Sequence, residues 1–343
     1  MRILIISPTQ EGIGGVARHV QGLTKFLKKE GHHVDIISSE NTFTIPIRKL
    51  KNPSFMISSY LKTIFKKNYD IVHAQNPITS FAMKNVHAKK ILSIHGIHDQ
   101  QIKLLHGELA GNLATNFDDK ALGWADMITV SSKEMLDYYK EKGYDVKFIP
   151  NALDIENLPQ GEDRRYKKQI IYAARLSEEK GILDVLKLSK KLPQDVHLII
   201  LGDGLEKDKV EEVASANPNI HYLGSKSNEE VIPLIRGSDI LIQPSLMEGG
   251  ISYTLMEAMA CHTPVICTDV GGGKEVLIHL QNVYLIKPKN SDELLNGIIK
   301  LISNQNKRKD LAASAFELIQ KYDWTSIGNS YLKLYDELIS NHK

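Results

Sequence analysis

D-I-L-I-Q-P-S-L-M-E-G-G-I-S-Y-T-L-M-E-A-M-A, residues 239–260, joins an apolar run to a helical pattern through a glycine-containing turn. The turn carries Glu248, and the helical pattern starts on its far side with Glu257. Bare backbone N–H groups of a glycine turn and a helix start suit an anionic or hydroxyl-rich ligand. The two carboxylates can accept hydrogen bonds from hydroxyl groups. This combination indicates a nucleotide-sugar site.

Short apolar runs alternate with amphipathic segments on both sides of this stretch. The runs are Ile3–Ile6, Val34–Ile37, Ile71–Ala74, Ile91–Ile94, Met127–Val130, Val146–Ile149, Ile170–Ala173, His197–Leu201, Ile220–Leu223, Ile240–Ile242, Val265–Cys267 and Val283–Ile286. Because they are continuously apolar, they are typical of strands buried on both faces of a sheet. The rhythm predicts an α/β fold made of two consecutive doubly wound domains. A polar stretch, Asn157–Arg165, marks the boundary between domains 1–157 and 158–323.

The place of a ligand site follows from this fold. Open parallel sheets bind ligands beyond the carboxyl ends of their strands. If the two domains face each other across a cleft, the residues just after each strand converge on that cleft. The segment from Trp324 to Ile339 is predicted to be a helix with one apolar face.

The composition is that of an ordinary globular protein. Of its 343 residues, 42% are hydrophobic and 24% charged, and the chain is too long for one typical domain. The net charge of +2 gives no reason to expect a nucleic-acid partner. The two cysteines, Cys261 and Cys267, give no disulfide framework and fit a reducing cytosol. No apolar run approaches the roughly 18 residues of a transmembrane helix, so we expect a cytoplasmic protein.

A glycine-rich turn, within Gly12–Val20, follows the first predicted strand and opens a helix. Glycines let the backbone approach a ligand closely, and a helix N-terminus carries a partial positive charge suited to phosphate. The position predicts a ligand-contacting loop, and the alternative is a plain tight turn.

His95 follows the fourth apolar run and is predicted to project from the end of a strand. There it could bind a sugar hydroxyl or relay a proton, or it could be an ordinary structural histidine. His95, His98 and His106 lack a carboxylate or cysteine at a familiar ligand spacing, so no metal site is predicted.

Arg175 and Lys180 lie in the loop after the first strand of the second domain, which Gly181 closes. Two such cations can hold a diphosphate, the arginine as a fork and the lysine as a point charge. The alternative is a solvated charged turn. Glu257 could accept both hydroxyls of a ribose, although a carboxylate at a helix start also simply favours the helix dipole.

The segment 48–67 is basic, with apolar residues interleaved. It is either a helix with an apolar core face or a patch that meets an anionic membrane surface. Peripheral association with the inner face of a membrane is therefore a hypothesis beside core packing.

Taken together, these stretches resemble the family-4 retaining glycosyltransferases of GT-B architecture, which have two Rossmann-like domains. The matching pieces, in chain order, are G-G-V-A-R-H-V at 14–20, S-I-H-G at 93–96, V-S-S-K at 130–133, I-P-N-A-L-D at 149–154, A-R-L-S-E-E-K-G at 174–181, L-G-D-G at 201–204 and P-S-L-M-E-G-G…L-M-E-A-M-A at 244–260. They span the chain, and the last motif is specific.

The resemblance implies roles for particular residues on the donor side. Gly14 and Gly15 would bring backbone N–H groups to the donor diphosphate or the transferred sugar. Arg175 and Lys180 would hold the diphosphate and neutralise the leaving group. His95 would lie near the sugar at the reaction centre.

The resemblance also assigns the two glutamates that flank the glycine turn. Glu257 would bind the ribose, and Glu248, with the N–H groups of Gly249, Gly250 and Ile251, would hold sugar hydroxyls. The family usually places seven residues between these glutamates, whereas eight separate them here. Either the turn absorbs the extra residue or the first glutamate is displaced from its usual role.

On the acceptor side, His19 maps to a family histidine, and the helix 324–343 would cross back to the first domain. The implied reaction moves a sugar from a nucleoside diphosphate to a hydroxyl of a glycan, a lipid or a small molecule, with retention. No cofactor and no metal is expected, and the absence of an Asp-x-Asp triplet agrees with that. Two alternatives are a nucleotide-sugar epimerase or hydrolase on the same fold, and a non-catalytic nucleotide-sugar-binding protein.

Overall fold

The computed structural model describes residues 1–12, 14–47, 50–96 and 118–340. They form two compact units, one made of Met1–Ala152 with Trp324–Lys343 and the other of Leu153–Asp323. The division falls a few residues before the predicted one because Leu153 already pairs with the second unit. Its backbone N–H donates to the carbonyl of Tyr322 at 2.9 Å.

The first unit contains one parallel six-stranded sheet with the order β2-β1-β3-β4-β5-β6. Its strands are β1 (Arg2–Ile6), β2 (His33–Ile37), β3 (Ile71–Ala74), β4 (Lys89–Ile94), β5 (Met127–Val130) and β6 (Val146–Phe148). Its helices are α1 (Gly15–Lys29), α2 (Lys51–Thr63), α3 (Pro77–Met83), α4 (Lys133–Glu141) and, from the end of the chain, α11 (Trp324–Ser340).

The second unit repeats the architecture with the strand order β12-β11-β10-β7-β8-β9. Its strands are β7 (Gln169–Ala173), β8 (His197–Leu201), β9 (Ile220–Tyr222), β10 (Ile240–Gln243), β11 (Val265–Thr268) and β12 (Tyr284–Ile286). Its helices are α5 (Ile182–Ser189), α6 (Lys207–Ala216), α7 (Asn228–Arg236), α8 (Tyr253–Ala260), α9 (Ser291–Ile302) and α10 (Gln305–Ile319).

Each sheet is buried on both faces, as the continuous apolar runs predict. Ile3 and Ile5 of β1 belong to one core layer of the first unit, whereas Leu4 and Ile6 belong to the other. Successive side chains of a strand point to opposite faces, so a strand covered by helices on both sides must be apolar throughout. The prediction of two doubly wound α/β units is confirmed.

The last helix packs on the first helix of the first unit through glycines on both. A Cβ atom at Gly22 would lie 2.0 Å from Nε1 of Trp324, and one at Gly328 would lie 2.5 Å from the ring of Phe26. Only residues without a side chain allow this close approach. The end of the chain therefore belongs to the first unit's core.

Strand order determines where each unit can bind a ligand. In the second unit the chain runs outward from β7 to β9 and then returns to the other side of β7 with β10. Adjacent parallel strands whose connections leave in opposite directions open a crevice beyond their carboxyl ends. In the second unit that crevice lies between β7 and β10, and in the first between β1 and β3.

Candidate functional site

The loop after β7 and the turn after β10 contact each other in the second unit. Gly181 has φ +74°, and a Cβ atom there would lie 1.8 Å from the carbonyl oxygen of Pro244. The backbone N–H of Leu246 donates to the carbonyl oxygen of Glu179 at 2.8 Å. Position 181 must therefore be glycine, because any side chain there would clash with the turn. The contact brings the loop that carries Arg175 and Lys180 against the turn.

An ion pair joins the same two segments. Nζ of Lys180 lies 2.8 Å from Oε2 of Glu248, and the two side chains are only 18% and 14% exposed. Glu179 adds a second carboxylate, with Oε1 at 3.8 Å from Nζ of Lys180 and 3.6 Å from Arg175. The Arg175 side chain is 61% exposed. The lysine is thus held between two carboxylates, whereas the arginine contacts one of them and remains mostly exposed.

Hydrogen bonds fix the other oxygen of Glu248 to its own turn. Oε1 accepts from Nε2 of Gln243 at 2.9 Å and from Oγ of Ser245 at 2.7 Å. Oγ of Ser252 donates to Oε1 of Gln243 at 2.7 Å and accepts from the backbone N–H of Leu255. These bonds run from the end of β10 to the start of α8 and organise the whole turn.

The position of Glu257 differs from the predicted one. Helix α8 begins at Tyr253, with Ser252 as its N-cap, so Glu257 lies in the second turn of the helix rather than at its start. It is 1% exposed. A serine side chain that accepts from the first turn's N–H groups is a strong start signal, and the prediction overlooked it.

Gly249, Gly250 and Ile251 lie in the turn between the cap and Glu248, as the sequence implies. Gly250 and Ile251 border a small cavity beside the Glu248 carboxylate. Glycines on the other side of this turn were not identified from sequence. Gly271 has φ +59°, and a Cβ atom there would lie 1.9 Å from the carbonyl oxygen of Glu248. Three consecutive glycines after a buried strand were the available signal.

In the first unit, His95 comes directly after β4, and Gln75 comes directly after β3. Nε2 of His95 lies 3.1 Å from Oε1 of Gln75. Burial lowers the pKa of His95 to about 4, so the imidazole is neutral at physiological pH. Gln75 was not identified from sequence, although it ends an apolar run in the same way as His95.

His19 lies inside the first unit, on the buried face of α1. It is 1% exposed, and its ring packs against His95, Trp324 and Tyr331 with centroid distances of 4.7, 5.4 and 5.7 Å. Burial first, and then the charges of His95 and His73, hold the pKa of His19 well below its usual value. Its role on the acceptor side stays a prediction.

Gly14 and Gly15 begin helix α1 and are exposed. Gly14 is the N-cap, and apart from its chain neighbours no described heavy atom lies within 4 Å of a Cβ atom built there. The first N–H groups of a helix have no partner within the helix and can bind an anion.

A chain of buried polar side chains in the first unit was not foreseen. Nδ1 of His73 lies 2.8 Å from the hydroxyl of Tyr335, and its Nε2 lies 2.7 Å from Oγ of Ser93, which in turn contacts Oγ1 of Thr129 at 2.6 Å. Burial, and then the charge of His95, lower the pKa of His73 to about 3. Polar residues inside apolar runs were the signal for this network.

The segment 48–67 forms α2 and the residues around it, with Arg48 and Lys49 outside the described residues. Phe55, Ser59 and Thr63 are buried on one side of the helix. Large apolar side chains are exposed elsewhere on this segment and just before it: Phe43, Ile47, Leu50, Ile57, Leu61, Ile64 and Phe65. The interpretation as a helix with an apolar core face is thus correct for only one face of α2.

The cysteines and potential metal ligands give no further site. Cys261 and Cys267 are free and buried. Within residues 1–12, 14–47, 50–96 and 118–340, no three His, Cys, Asp or Glu side chains form a group that could hold a metal ion. His98 and His106 lie outside the described residues. Among the helices that the structure describes, none is long and apolar enough to cross a membrane.

Similar proteins of known sequence match the whole chain. An uncharacterised glycosyltransferase of Methanocaldococcus jannaschii is 27% identical over 377 aligned residues, which cover 96% of each chain. Phosphatidyl-myo-inositol mannosyltransferase of Mycobacterium leprae is 22% identical and covers 99% of this chain and 98% of its own. Among solved structures, sucrose-phosphate synthase of Thermosynechococcus elongatus has a TM-score of 0.85 at 18% identity, over 99% of both chains.

Two family models match consecutive parts of the chain. Glycosyltransferase Family 4 matches residues 13–157, and Glycosyl transferases group 1 matches residues 154–318. The second match contains the Lys180–Glu248 ion pair and the glycine turn. The fold, the order of the motifs and these matches agree, and the chain belongs to the family-4, group 1 glycosyltransferases of GT-B architecture.

Proposed function

We propose that this glycosyltransferase moves a hexose from a nucleoside-diphosphate sugar to an acceptor hydroxyl with retention of anomeric configuration and without a metal ion. The observation that carries the proposal is the cationic loop 175–181 held against the glycine turn 244–252 at the crevice between β7 and β10. A largely buried lysine beside an exposed arginine supplies two positively charged groups for a diphosphate.

The donor diphosphate is bound by Arg175 and Lys180. The ammonium group of Lys180 has three N–H donors, and the contact with Glu248 leaves others for phosphate oxygens. Arg175 is exposed and can offer its planar fork to the second phosphate. The backbone N–H groups of Gly14 and Gly15, at the start of α1, are proposed as further donors to an anionic group.

The sugar and ribose ends of the donor use the turn and the helix behind it. The N–H groups of Gly249, Gly250 and Ile251 lie beside the Glu248 carboxylate and are suited to sugar hydroxyls. Glu257 is assigned to the ribose, since a carboxylate can accept from two neighbouring hydroxyls.

In the reaction, the bond between the anomeric carbon and the diphosphate oxygen breaks, and a bond from the acceptor oxygen to that carbon forms. The acceptor proton passes to the departing diphosphate oxygen, on the same face of the sugar, so the configuration is retained. The developing negative charge is stabilised by groups already in place, chiefly Lys180 and Arg175. No protein nucleophile is required.

His95 acts in this scheme as a neutral hydrogen-bonding group. If its Nε2–H donates to Gln75, its Nδ1 is an acceptor that can receive a sugar hydroxyl. With its pKa near 4, the imidazole is a weak base at neutral pH, so positioning the sugar suits it better than proton abstraction. His19 supports the acceptor side through its contact with His95.

The acceptor is proposed to be lipid-linked and reached at the inner face of a membrane. The exposed apolar side chains around α2 are accompanied by Lys51, Lys66 and Lys67, a combination that favours an anionic lipid surface. The mycobacterial relative, by its name, transfers mannose to phosphatidyl-myo-inositol. That similarity supports a lipid acceptor over a soluble one.

A two-stage experiment tests the function. Thermal shift with a panel of UDP-, GDP- and ADP-sugars identifies the donor that stabilises the protein most. That donor is then incubated with the protein, with and without lipid and sugar acceptors, and products are identified by mass spectrometry and anomeric NMR.

We expect an α-linked product from an α-linked donor, formed only when acceptor is present. A new free sugar or nucleotide sugar without acceptor would instead establish a hydrolase or epimerase. Donor binding without turnover across the panel would favour a non-catalytic nucleotide-sugar-binding protein.

A further inference from the structure

Every carboxylate oxygen of Glu248 already has a partner within the second unit. Oε2 faces Nζ of Lys180 at 2.8 Å, and Oε1 accepts from Gln243 and Ser245 at 2.9 and 2.7 Å. A carboxylate that contacts sugar hydroxyls would need accepting capacity directed at the ligand. Here three side chains of the protein already take up about three of the four acceptor positions of the carboxylate.

These contacts are not loose surface pairings. The Glu248 and Lys180 side chains are largely buried, and removing one partner of such a pair leaves an uncompensated charge. Gln243 is itself held by the N-cap Ser252, so the donors to Oε1 are fixed by the secondary structure around them. Glu248 is thus held by side chains of both segments.

The backbone holds the lysine and the glutamate at a constant separation. The N–H of Leu246 donates to the carbonyl of Glu179, and Gly181 packs directly on the carbonyl of Pro244. The hydroxyl of Tyr172, on β7, donates to the carbonyl of Lys180 at 3.1 Å. The loop and the turn are therefore packed together, and the Glu248 carboxylate orients the Lys180 ammonium group.

We propose that Glu248 is a positioning residue that acts through Lys180, aiming the ammonium group at the donor diphosphate. The inference rests on the proposed function and deepens it.

Nucleoside diphosphate binding separates this role from direct contact with the sugar. A residue that acts through Lys180 should affect the affinity for a ligand that has no sugar to transfer. It should also lose its effect once Lys180 is gone, since residues that act as a unit are non-additive.

The test is a double-mutant cycle by calorimetry with UDP, GDP and ADP, using whichever binds the wild-type protein most tightly. Lys180→Ala and Glu248→Gln are each expected to weaken binding by about 10-fold or more, the scale of a lost charge-assisted hydrogen bond. The double variant should bind within about 2-fold of Lys180→Ala. Asp184→Asn is the control, because Asp184 is a similarly buried carboxylate paired with a lysine, and it should bind like wild type.

If the double variant weakened nucleoside diphosphate binding by the product of the two single fold-changes, the inference would be overturned. So would unchanged nucleoside diphosphate affinity in Glu248→Gln together with weaker binding of the nucleotide sugar. Glu248→Asp, which keeps the charge but shortens the side chain, is expected to fall between wild type and Glu248→Gln. If the wild-type protein binds none of the three nucleotides, the donor site itself is refuted, and the inference with it.

Discussion

Nδ1 of His73 lies 2.8 Å from the hydroxyl oxygen of Tyr335, although 262 positions separate the two residues in the chain. This contact ties the last helix to the third strand in the interior of the first unit. The other ring nitrogen of His73 contacts Oγ of Ser93. His95 and His19 contact each other in the same unit. Three neutral histidines are therefore part of this unit's core.

The first prediction is a loss of stability at mildly acidic pH. Folding lowers the pKa of His73 to about 3 and that of His95 to about 4, and it also lowers that of His19. Stability is thus complete above the unfolded value near 6.5 and falls as the pH drops from there toward 4, because only the unfolded chain takes up the protons. Each histidine contributes at most about 1.4 kcal/mol per pH unit.

Urea unfolding at pH 7.5, 6 and 5 measures this effect. Both tryptophans, Trp124 and Trp324, lie in the first unit, so their fluorescence reports on that unit. His73→Gln should make the free energy of unfolding less dependent on pH. An unfolding free energy that is the same at pH 7.5 and pH 5 would contradict the prediction.

The second prediction concerns the contact between the first and last helices. Gly22→Ala should destabilise the first unit by about 1–3 kcal/mol, since the added Cβ would lie 2.0 Å from the Trp324 ring. The gain in helix propensity of about 1 kcal/mol opposes this but is smaller than the clash. Gly123→Ala is the control, with its nearest contact at 3.6 Å. Equal unfolding midpoints for the two variants would show that the ring moves aside freely.

The third prediction tests the leaving-group charge. Lys180→Ala should lower the rate of transfer by at least about 100-fold, the scale of losing one preorganised donor to a developing charge. Lys187→Ala serves as the control, since Lys187 is an exposed lysine of the neighbouring helix. Turnover close to wild type in a direct transfer assay would remove Lys180 from the mechanism.

The fourth prediction concerns Glu257 and the ribose. Glu257→Gln should weaken binding of the nucleoside diphosphate but leave binding of inorganic pyrophosphate unchanged, because pyrophosphate has no ribose hydroxyls. Calorimetry with both ligands, alongside a thermal melt to verify folding, measures the difference. Parallel losses for the two ligands would point to a general effect on the turn instead.

The fifth prediction tests the exposed apolar side chains around α2. The wild-type protein should co-float with vesicles containing anionic phosphatidylglycerol and less with pure phosphatidylcholine, since apolar burial and charge attraction act together. Ile57→Glu with Leu61→Glu should abolish flotation. Ile299→Glu, at an exposed apolar position on a helix of the second unit, should not. Absence of flotation by the wild type would refute membrane association.

Much of the fold was predictable from sequence because it depends on local patterns. Continuous apolar runs such as Ile3–Ile6 are required wherever both faces of a strand are covered, and their alternation with helices leaves few topologies. Site positions such as Lys180 and Glu248 followed from their place after strands. The start of α8 was predicted wrongly because the N-cap Ser252 was overlooked beside the more conspicuous Glu257.

By itself, the sequence determined the two α/β units, the family and the segments that carry the proposed donor site, since these follow from periodicity and short motifs. Only the tertiary structure decided that Glu248 faces Lys180, Gln243 and Ser245, that His19 is buried beneath Trp324, and that His73 meets Tyr335. Those relationships depend on side-chain directions and on packing between distant segments. Local sequence patterns do not reveal them, because each partner is brought into place by a different strand, helix or turn.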